Sequence, residues 1–241
     1  MNQFTYVGTE LELFAQAKNW KNYIRVLLTK YIKGDVLEVG AGIGSNTRLL
    51  CRSQYSQWLC LEPDNQLFHA LEQSIDLNGI INCYARNGTI DSLTNEQFFD
   101  SILYLDVLEH IPNDNQEVIK VSQHLKANGN LVILSPAHQR LFTPFDAAIG
   151  HYRRYSQSSL KAIIPDNLKI VKCLYLDSVG LLASLANKLI LKQSQPTLKQ
   201  IQVWDSLMVP ISRTLDPIFR YRLGKSILLI AKKYPDQIDK G

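Results

Sequence analysis

The sequence predicts an α/β chain built on a doubly wound, Rossmann-like sheet of seven strands, the last one antiparallel and preceded by a helical insertion. Three observations carry this. Short apolar runs alternate with stretches of helical periodicity from Val36 to Ser135, the pattern of parallel strands joined by right-handed crossovers. The first run closes on a turn with glycine at alternate positions, Gly40, Gly42 and Gly44. Two later apolar runs, Leu168–Leu176 and Ser226–Ala231, flank a long apolar segment and are expected to pair antiparallel at the sheet edge.

Each element has its own signal. Leu11, Phe14, Ala15, Trp20, Tyr23, Ile24, Leu27 and Leu28 fall at helical spacing, so one helical region is expected from Glu10 to Tyr31, stopped by Gly34. Val36–Val39 reads as a buried strand, and Asn46–Arg52 as a helix. Trp58–Glu62 is the second strand. Pro63 and Asp64 suit a helix start, continued by Gln66–Ser74. Asn82–Ala85 and Asp100–Leu105 read as strands, the latter apolar enough for a core position. Asp114–Leu125 is expected to be helical and to stop near Asn128-Gly129, before a strand at Asn130–Ser135. Ser156 precedes Ser159-Leu160 as a helix N-cap. The insertion, Asp177–Leu223, holds two apolar, helix-like stretches, Val179–Leu191 and Val203–Leu215. Asn187 and Lys188 interrupt the first, and Pro210 and Arg213 the second, so neither reads as a membrane span. The expected organisation is one domain over 1–241, with an N-terminal helical cap over 1–33 and the insertion over 177–223.

Composition sets the outer limits. With 241 residues, 46% of them hydrophobic and 20% charged, the chain reads as globular. A formal charge of +4 without a dense Lys/Arg stripe gives no case for nucleic acid. Cys51, Cys60, Cys83 and Cys173 show no CxxC spacing and are expected to be buried free thiols. Met1–Thr5 lacks a basic stretch followed by an apolar one, so no signal peptide is indicated and a cytoplasmic location is the default expectation.

Ligands of such sheets bind beyond the carboxyl ends of the strands. That places Glu38–Gly44, Glu62, Gly88–Ile90, Asp106–His110 and Ser135–His138 on one rim. A glycine turn of this kind also suits a dinucleotide pyrophosphate. Here Glu38 precedes the turn, where a carboxylate would repel a pyrophosphate but attract a ligand carrying an ammonium and a sulfonium. Ser45 also stands where the dinucleotide pattern wants glycine or alanine. Glu62 ends the second strand, where an acid can accept hydrogen bonds from both ribose hydroxyls of an adenosine. Directly after the fourth strand comes Asp106-Val107-Leu108-Glu109-His110.

Taken in this order, the Glu38–Gly44 turn, Glu62 and the Asp-Val-Leu-Glu-His string resemble class I methyltransferases that use S-adenosylmethionine, of the type also seen in quinone biosynthesis. The resemblance implies a cofactor site made by Glu38, Gly40, Ala41, Gly42, Gly44, Glu62 and Pro63. It further implies that Gly88, Thr89 and Ile90 border the adenine. Asp106 and Val107 would line the methionine end, with Leu108 packed near the nucleoside. His110 is a candidate acceptor contact, or else a brace for its loop.

Ser135-Pro136-Ala137-His138, Asp146 and Gly150-His151-Tyr152-Arg153-Arg154-Tyr155 resemble a bacterial subfamily of these enzymes. Tyr6–Phe14 and Asn19-Trp20 resemble the same subfamily. As a histidine, His151 could take a proton from an acceptor hydroxyl or amine, with Asp146 and His138 as further catalytic candidates. Tyr152, Arg153 and Tyr155 are candidate acceptor contacts, and Arg153 or Arg154 could fork onto an anionic acceptor. The alternative is that Asp146, His151 and Arg153 only pin the loop. No metal is expected. The apolar insertion, with Trp204, Met208 and Phe219, fits a lid over a small-molecule or lipid-linked acceptor and a peripheral membrane contact. It equally fits a helical pair packed on the sheet or against a second subunit. A donor-binding regulatory or partner protein without turnover is the alternative function, and a nicotinamide-dependent oxidoreductase a more distant one.

Overall fold

The computed structural model describes Tyr6, Gly8, residues 11–186 and residues 196–235. Parts of the expected cap (1–5, 7, 9 and 10) and of the insertion (187–195, with Asn187, Lys188 and Leu191) lie outside the described residues, as does 236–241.

Seven strands form one sheet: β1 Asp35–Val39, β2 Gln57–Glu62, β3 Cys83–Asn87, β4 Phe99–Leu105, β5 Leu125–Pro136, β6 Leu168–Leu176 and β7 Ser226–Lys233. Their order is β3-β2-β1-β4-β5-β7-β6. The first five pair in parallel, and β7 runs antiparallel to both β5 and β6. Connections leave β1 toward β2 on one side and pair β4 on the other, so the topological switch lies between β1 and β4.

Alternation along the strands divides the core between two faces. Val36, Trp58, Cys60, Leu103, Val132 and Ile230 pack on one face. Leu37, Leu59, Leu61, Ile102, Ile133 and Leu229 pack on the other. Cys51, Cys60 and Cys83 are buried free thiols as expected, while Cys173 is half-buried.

Ten α-helices are described: α1 Leu11–Ala15, α2 Lys18–Leu28, α3 Thr47–Leu50, α4 Asn65–Leu77, α5 Asp114–Gln123, α6 Pro144–Ala148, α7 Gln157–Ala162, α8 Ser178–Ala186, α9 Leu198–Val203 and α10 Val209–Ile218. Three depart from the sequence reading. The helical region expected over Glu10–Tyr31 is two helices, because α2 is capped from far away. The Asp205 carboxylate accepts from the Asn19 and Trp20 N–H groups at 3.0 and 2.8 Å. The helix expected over Asn46–Arg52 is only the short α3. The helix expected to reach Leu125 ends at Gln123, where His124 turns to Gln97 O at 2.9 Å and Leu125 already pairs with Phe99. Strand β5 therefore starts before Asn128, and that residue and Gly129 sit within its bulged edge rather than in a helix stop. Asp64 caps α4 by accepting from the Gln66 and Leu67 N–H groups.

A buried carboxylate ties the end of the insertion to its start and to α2. Asp216, in α10, accepts from the Asp177 and Ser178 N–H groups at 2.7 and 3.0 Å and from the Tyr23 hydroxyl at 2.9 Å. Between α9 and α10 the chain widens into a π-helical turn, Trp204–Met208, that turns Trp204 inward. The second apolar stretch is thus three successive helical pieces rather than one helix.

Candidate active site

A cavity of about 270 Å³ lies at the topological switch, beyond the carboxyl ends of β1, β4 and β5. Its floor is the Gly40–Ile43 turn, with Leu105 and Asp106 after β4. Gly40 and Gly42 have φ of +66° and +56°, a region that side-chain-bearing residues avoid. A Cβ on Gly40 would also come within 2.7 Å of Val107.

Asp106 has φ +58°, a strained setting for a residue with a side chain. It is open to the cavity yet surrounded by protein, and this desolvation raises its carboxyl to about 6 against the pull of Lys21, His151 and Lys225. Lys21 reaches the same floor from α2, donating to Ser45 Oγ at 2.9 Å and Asn46 Oδ1 at 3.0 Å. Burial pushes the Lys21 ammonium down to about 8, with Asp106 and Glu38 opposing. Between that value and the ordinary 10.5, the folded chain has released a proton that the unfolded chain still binds. Stability should therefore rise with pH across this window. Lys21→Met should flatten the rise, as measured by denaturant unfolding at pH 7, 9 and 10; equal slopes in both proteins would refute it.

Asp146, His151 and Arg154 also line the cavity. Asp146 Oδ1 accepts from Arg154 Nε at 2.7 Å and lies 3.0 Å from His151 Nδ1; Oδ2 accepts from the Thr143 N–H at 2.8 Å and Arg154 Nη2 at 2.9 Å. Burial alone would raise this carboxyl, but His151, Arg154 and Thr143 together hold it well below the usual range. An ionised Asp146 fixes the His151 tautomer with the proton on Nδ1 and leaves Nε2 as an acceptor. Nε2 points toward Glu109, 3.9 Å from Oε1. The His110 ring stands edge-on to His151, with centroids 4.5 Å apart. Burial, then the His151 charge, pushes His110 down to about 4. Glu109 is fully buried, and burial together with the Asp106 charge holds its carboxyl well above the usual range.

An aromatic wall completes the cavity. Trp204 packs against Trp20 and Phe14, centroids 5.8 and 6.2 Å away. Lys225 Nζ sits 3.7 Å from the Trp204 ring centroid, a cation–π arrangement.

Residues 37–131 match a protein family described as a methyltransferase domain. A ubiquinone biosynthesis O-methyltransferase of Rickettsia prowazekii (strain Madrid E) is 38% identical over 64 residues, 27% of this chain and 25% of that protein. The chain thus spans a quarter of the length of that curated relative. Among solved structures, coclaurine N-methyltransferase bound to N-methylheliamine and S-adenosylhomocysteine superposes with a TM-score of 0.63 at 13% identity, over 95% of this chain and 83% of that one. The N-methyltransferase NodS of Bradyrhizobium japonicum, in complex with S-adenosylhomocysteine, gives 0.58 at 12% identity over 91% and 87%. The fold of the chain is therefore that of these methyltransferases.

The fold brings some of the sequence-derived candidates to the cavity and keeps others away. Gly40, Ala41, Gly42, Asp106, His110, Asp146 and His151 line it. Gly44 follows in the same turn at φ +75°. Glu38 points away from the cavity, because strand alternation sends it to the face of Val36. There it accepts from Thr47 Oγ1 at 2.8 Å and Trp58 Nε1 at 2.9 Å. Glu62 is buried beside the turn, accepting from the Gly42 N–H at 2.7 Å and the Asp64 N–H at 3.0 Å, with Pro63 between. Gly88, Thr89 and Ile90 follow β3 on the same rim, Gly88 donating to Glu62 O. Val107 packs under Gly40, and Leu108 is in the core.

His138 is turned from the cavity: its Nε2 lies 2.9 Å from Gly224 O, and its ring stacks on Tyr175. Tyr155 is buried with its hydroxyl on Asp114, 2.7 Å away. Arg153 donates to the Ile111 and Pro112 carbonyls and pairs with Asp114, while Tyr152 is exposed. Asp146 pairs with the second arginine, Arg154, not with Arg153 as the loop-pinning alternative had it. Trp204, expected in the lid, lines the cavity, and so do Lys21, Glu109 and Lys225, which had not been singled out for it. Glu109 could have been, since it stands in the Asp106–His110 string; the two lysines come from distant segments.

Proposed function

We propose that this chain transfers the methyl group of S-adenosylmethionine to a small-molecule acceptor with an apolar body, lipid-linked acceptors included. One observation carries the reading: the cavity brings the Gly40–Gly44 turn and Asp106 together with the Asp146–His151 pair. The donor lies along the turn, with Asp106 near its methionine end. Val107 backs that end, Leu108 packs near the nucleoside, and Gly88, Thr89 and Ile90 border the adenine. Glu62 takes the ribose: a carboxylate has about four lone-pair sites, and the Gly42 and Asp64 N–H groups use two of them. Glu38 supports the turn from behind through Thr47 and Trp58.

The sulfonium is already an activated leaving group, so the protein mainly positions. Good alignment supplies about 7–11 kcal/mol of barrier reduction in well-oriented reactions. His151 Nε2 receives the acceptor proton, the acceptor atom bonds to the methyl carbon, and the C–S electron pair departs with the thioether. Trp20, Phe14 and Trp204, inclined to one another, offer an apolar wall to the acceptor. A cavity beside Asp146 and His151 supports turnover over a silent donor-binding role. None of the described residues form a helix long and apolar enough to cross a membrane.

Glu62→Ala removes a charged acceptor, about 1.5–3 kcal/mol. Calorimetry should show S-adenosylmethionine bound roughly 10- to 150-fold more weakly. Unchanged affinity would remove Glu62 from the donor site, and no binding to the unaltered chain would sink the proposal.

A further inference from the structure

We propose that Glu109, His110 and His151 form a binding site for one divalent transition-metal ion at the acceptor end of the cavity. One ligand atom from each of these residues lies within 4.8 Å of the others. Around an ion with bonds of about 2.0–2.2 Å, neighbouring ligand atoms stand roughly 3–3.5 Å apart. The three side chains would close by about an ångström, a change that rotamer adjustment can supply.

A second observation points the same way. Glu109 is completely buried, and neither carboxylate oxygen makes a hydrogen bond of good geometry, the Ser135 hydroxyl nearby giving its charge only partial support. Buried carboxylates are almost always paired, hydrogen-bonded or bound to a metal. Glu109 Oε1 is 3.9 Å from His151 Nε2. Outer partners complete the pattern. His151 turns its Nδ1 to Asp146 at 3.0 Å, and His110 bonds the Gly150 backbone. Metal-ligating histidines characteristically anchor the second ring nitrogen on a carboxylate or carbonyl, which fixes tautomer and orientation.

Two imidazoles and one carboxylate suit Zn²⁺, Fe²⁺, Mn²⁺ or Co²⁺ over Mg²⁺ or Ca²⁺, which prefer all-oxygen sets. Three protein ligands also leave positions open to the cavity, as catalytic sites require. This role rests on the methyl-transfer reading above. A bound ion would acidify an acceptor hydroxyl, so that its proton leaves to solvent before the oxygen takes the methyl group; His151 then acts as ligand instead of base.

The test is a Co²⁺ titration of the chelator-stripped full chain, read by visible absorption, with S-adenosylhomocysteine binding followed separately by calorimetry. One Co²⁺ should bind per chain with ligand-field bands of nitrogen and oxygen ligation. Glu109→Gln and His110→Gln should each weaken it at least tenfold while S-adenosylhomocysteine still binds, which certifies folding. The proposal is overturned by absence of bands in excess Co²⁺, or by equal affinity in both variants. A near-ultraviolet thiolate band, placing the ion on Cys51, Cys60 and Cys83, would overturn it equally. Co²⁺ binding without S-adenosylhomocysteine binding would sink the donor reading and leave the metal site standing; the reverse result would do the opposite.

Discussion

Replacing His151 with alanine should lower methyl transfer by about 10²–10⁴-fold while leaving S-adenosylhomocysteine affinity within about twofold of wild type. The split follows from position. His151 lines the cavity beside Asp146 and His110, whereas Glu62 is not among the lining residues. Its Nδ1 is committed to Asp146, so only Nε2 can serve the acceptor, as a base or as a metal ligand. The deletion removes that nitrogen in either role without touching the donor crevice. Transfer of label from methyl-labelled S-adenosylmethionine to whichever phenol, amine or lipid-linked hydroxyl the wild type accepts measures the first number, and calorimetry the second. A variant that turns over at the wild-type rate would show His151 to be only a brace. Asp146→Asn should fall in the same direction, because it loses the charge that selects the tautomer. His138→Ala should not lower turnover comparably, since His138 faces Gly224 and Tyr175.

Asp177→Ala should be the most damaging change to stability. Asp177 is fully buried at the start of the insertion. Its carboxylate accepts from Ser212 Oγ at 2.6 Å, Trp204 Nε1 at 2.7 Å and the Gly180 N–H at 3.0 Å, and lies 3.6 Å from Lys225 Nζ. Removing it strands an ammonium that burial already penalises and leaves three donors unpaired. Breaking such a buried pair costs about 3–5 kcal/mol, a fall of roughly 6–20 °C in unfolding midpoint for a chain of this size. Alanine must also adopt φ +67°, which asparagine tolerates better. Asp177→Asn should therefore lose less, and thermal unfolding of both variants separates charge from backbone strain. A midpoint within 2 °C of wild type for Asp177→Ala, roughly the effect of less than 1 kcal/mol, would show the network to be dispensable. Trp204 is released by the same change, so acceptor affinity should suffer before donor affinity.

The legible parts of the protein are those whose cause lies nearby in the chain. Gly40 announces itself because only glycine fits its φ and the approach of Val107. Asp64 caps α4 with its own following N–H groups. Strand runs such as Trp58–Glu62 are visible because burial on both faces demands continuous apolar residues. Glu38 was legible as a strand-end acid, but its direction was not: a period-two strand sends it to the face of Thr47 and Trp58, away from the cavity. The two arginines after Tyr152 were indistinguishable as letters. The fold gives Arg154 to Asp146 and Arg153 to Asp114.

From its sequence alone, this protein is an alternating α/β sheet with a glycine turn after the first strand, an acid after the second and a string of polar groups after the fourth. These follow from local rules: side-chain period, backbone conformation and capping act over a few residues. Only the tertiary structure set Lys21 beside Asn46, Asp205 on the first turn of α2 across 186 residues, and His151 facing a buried Glu109. Such meetings depend on strand order and on the packing of the insertion, and no short stretch of the chain encodes either.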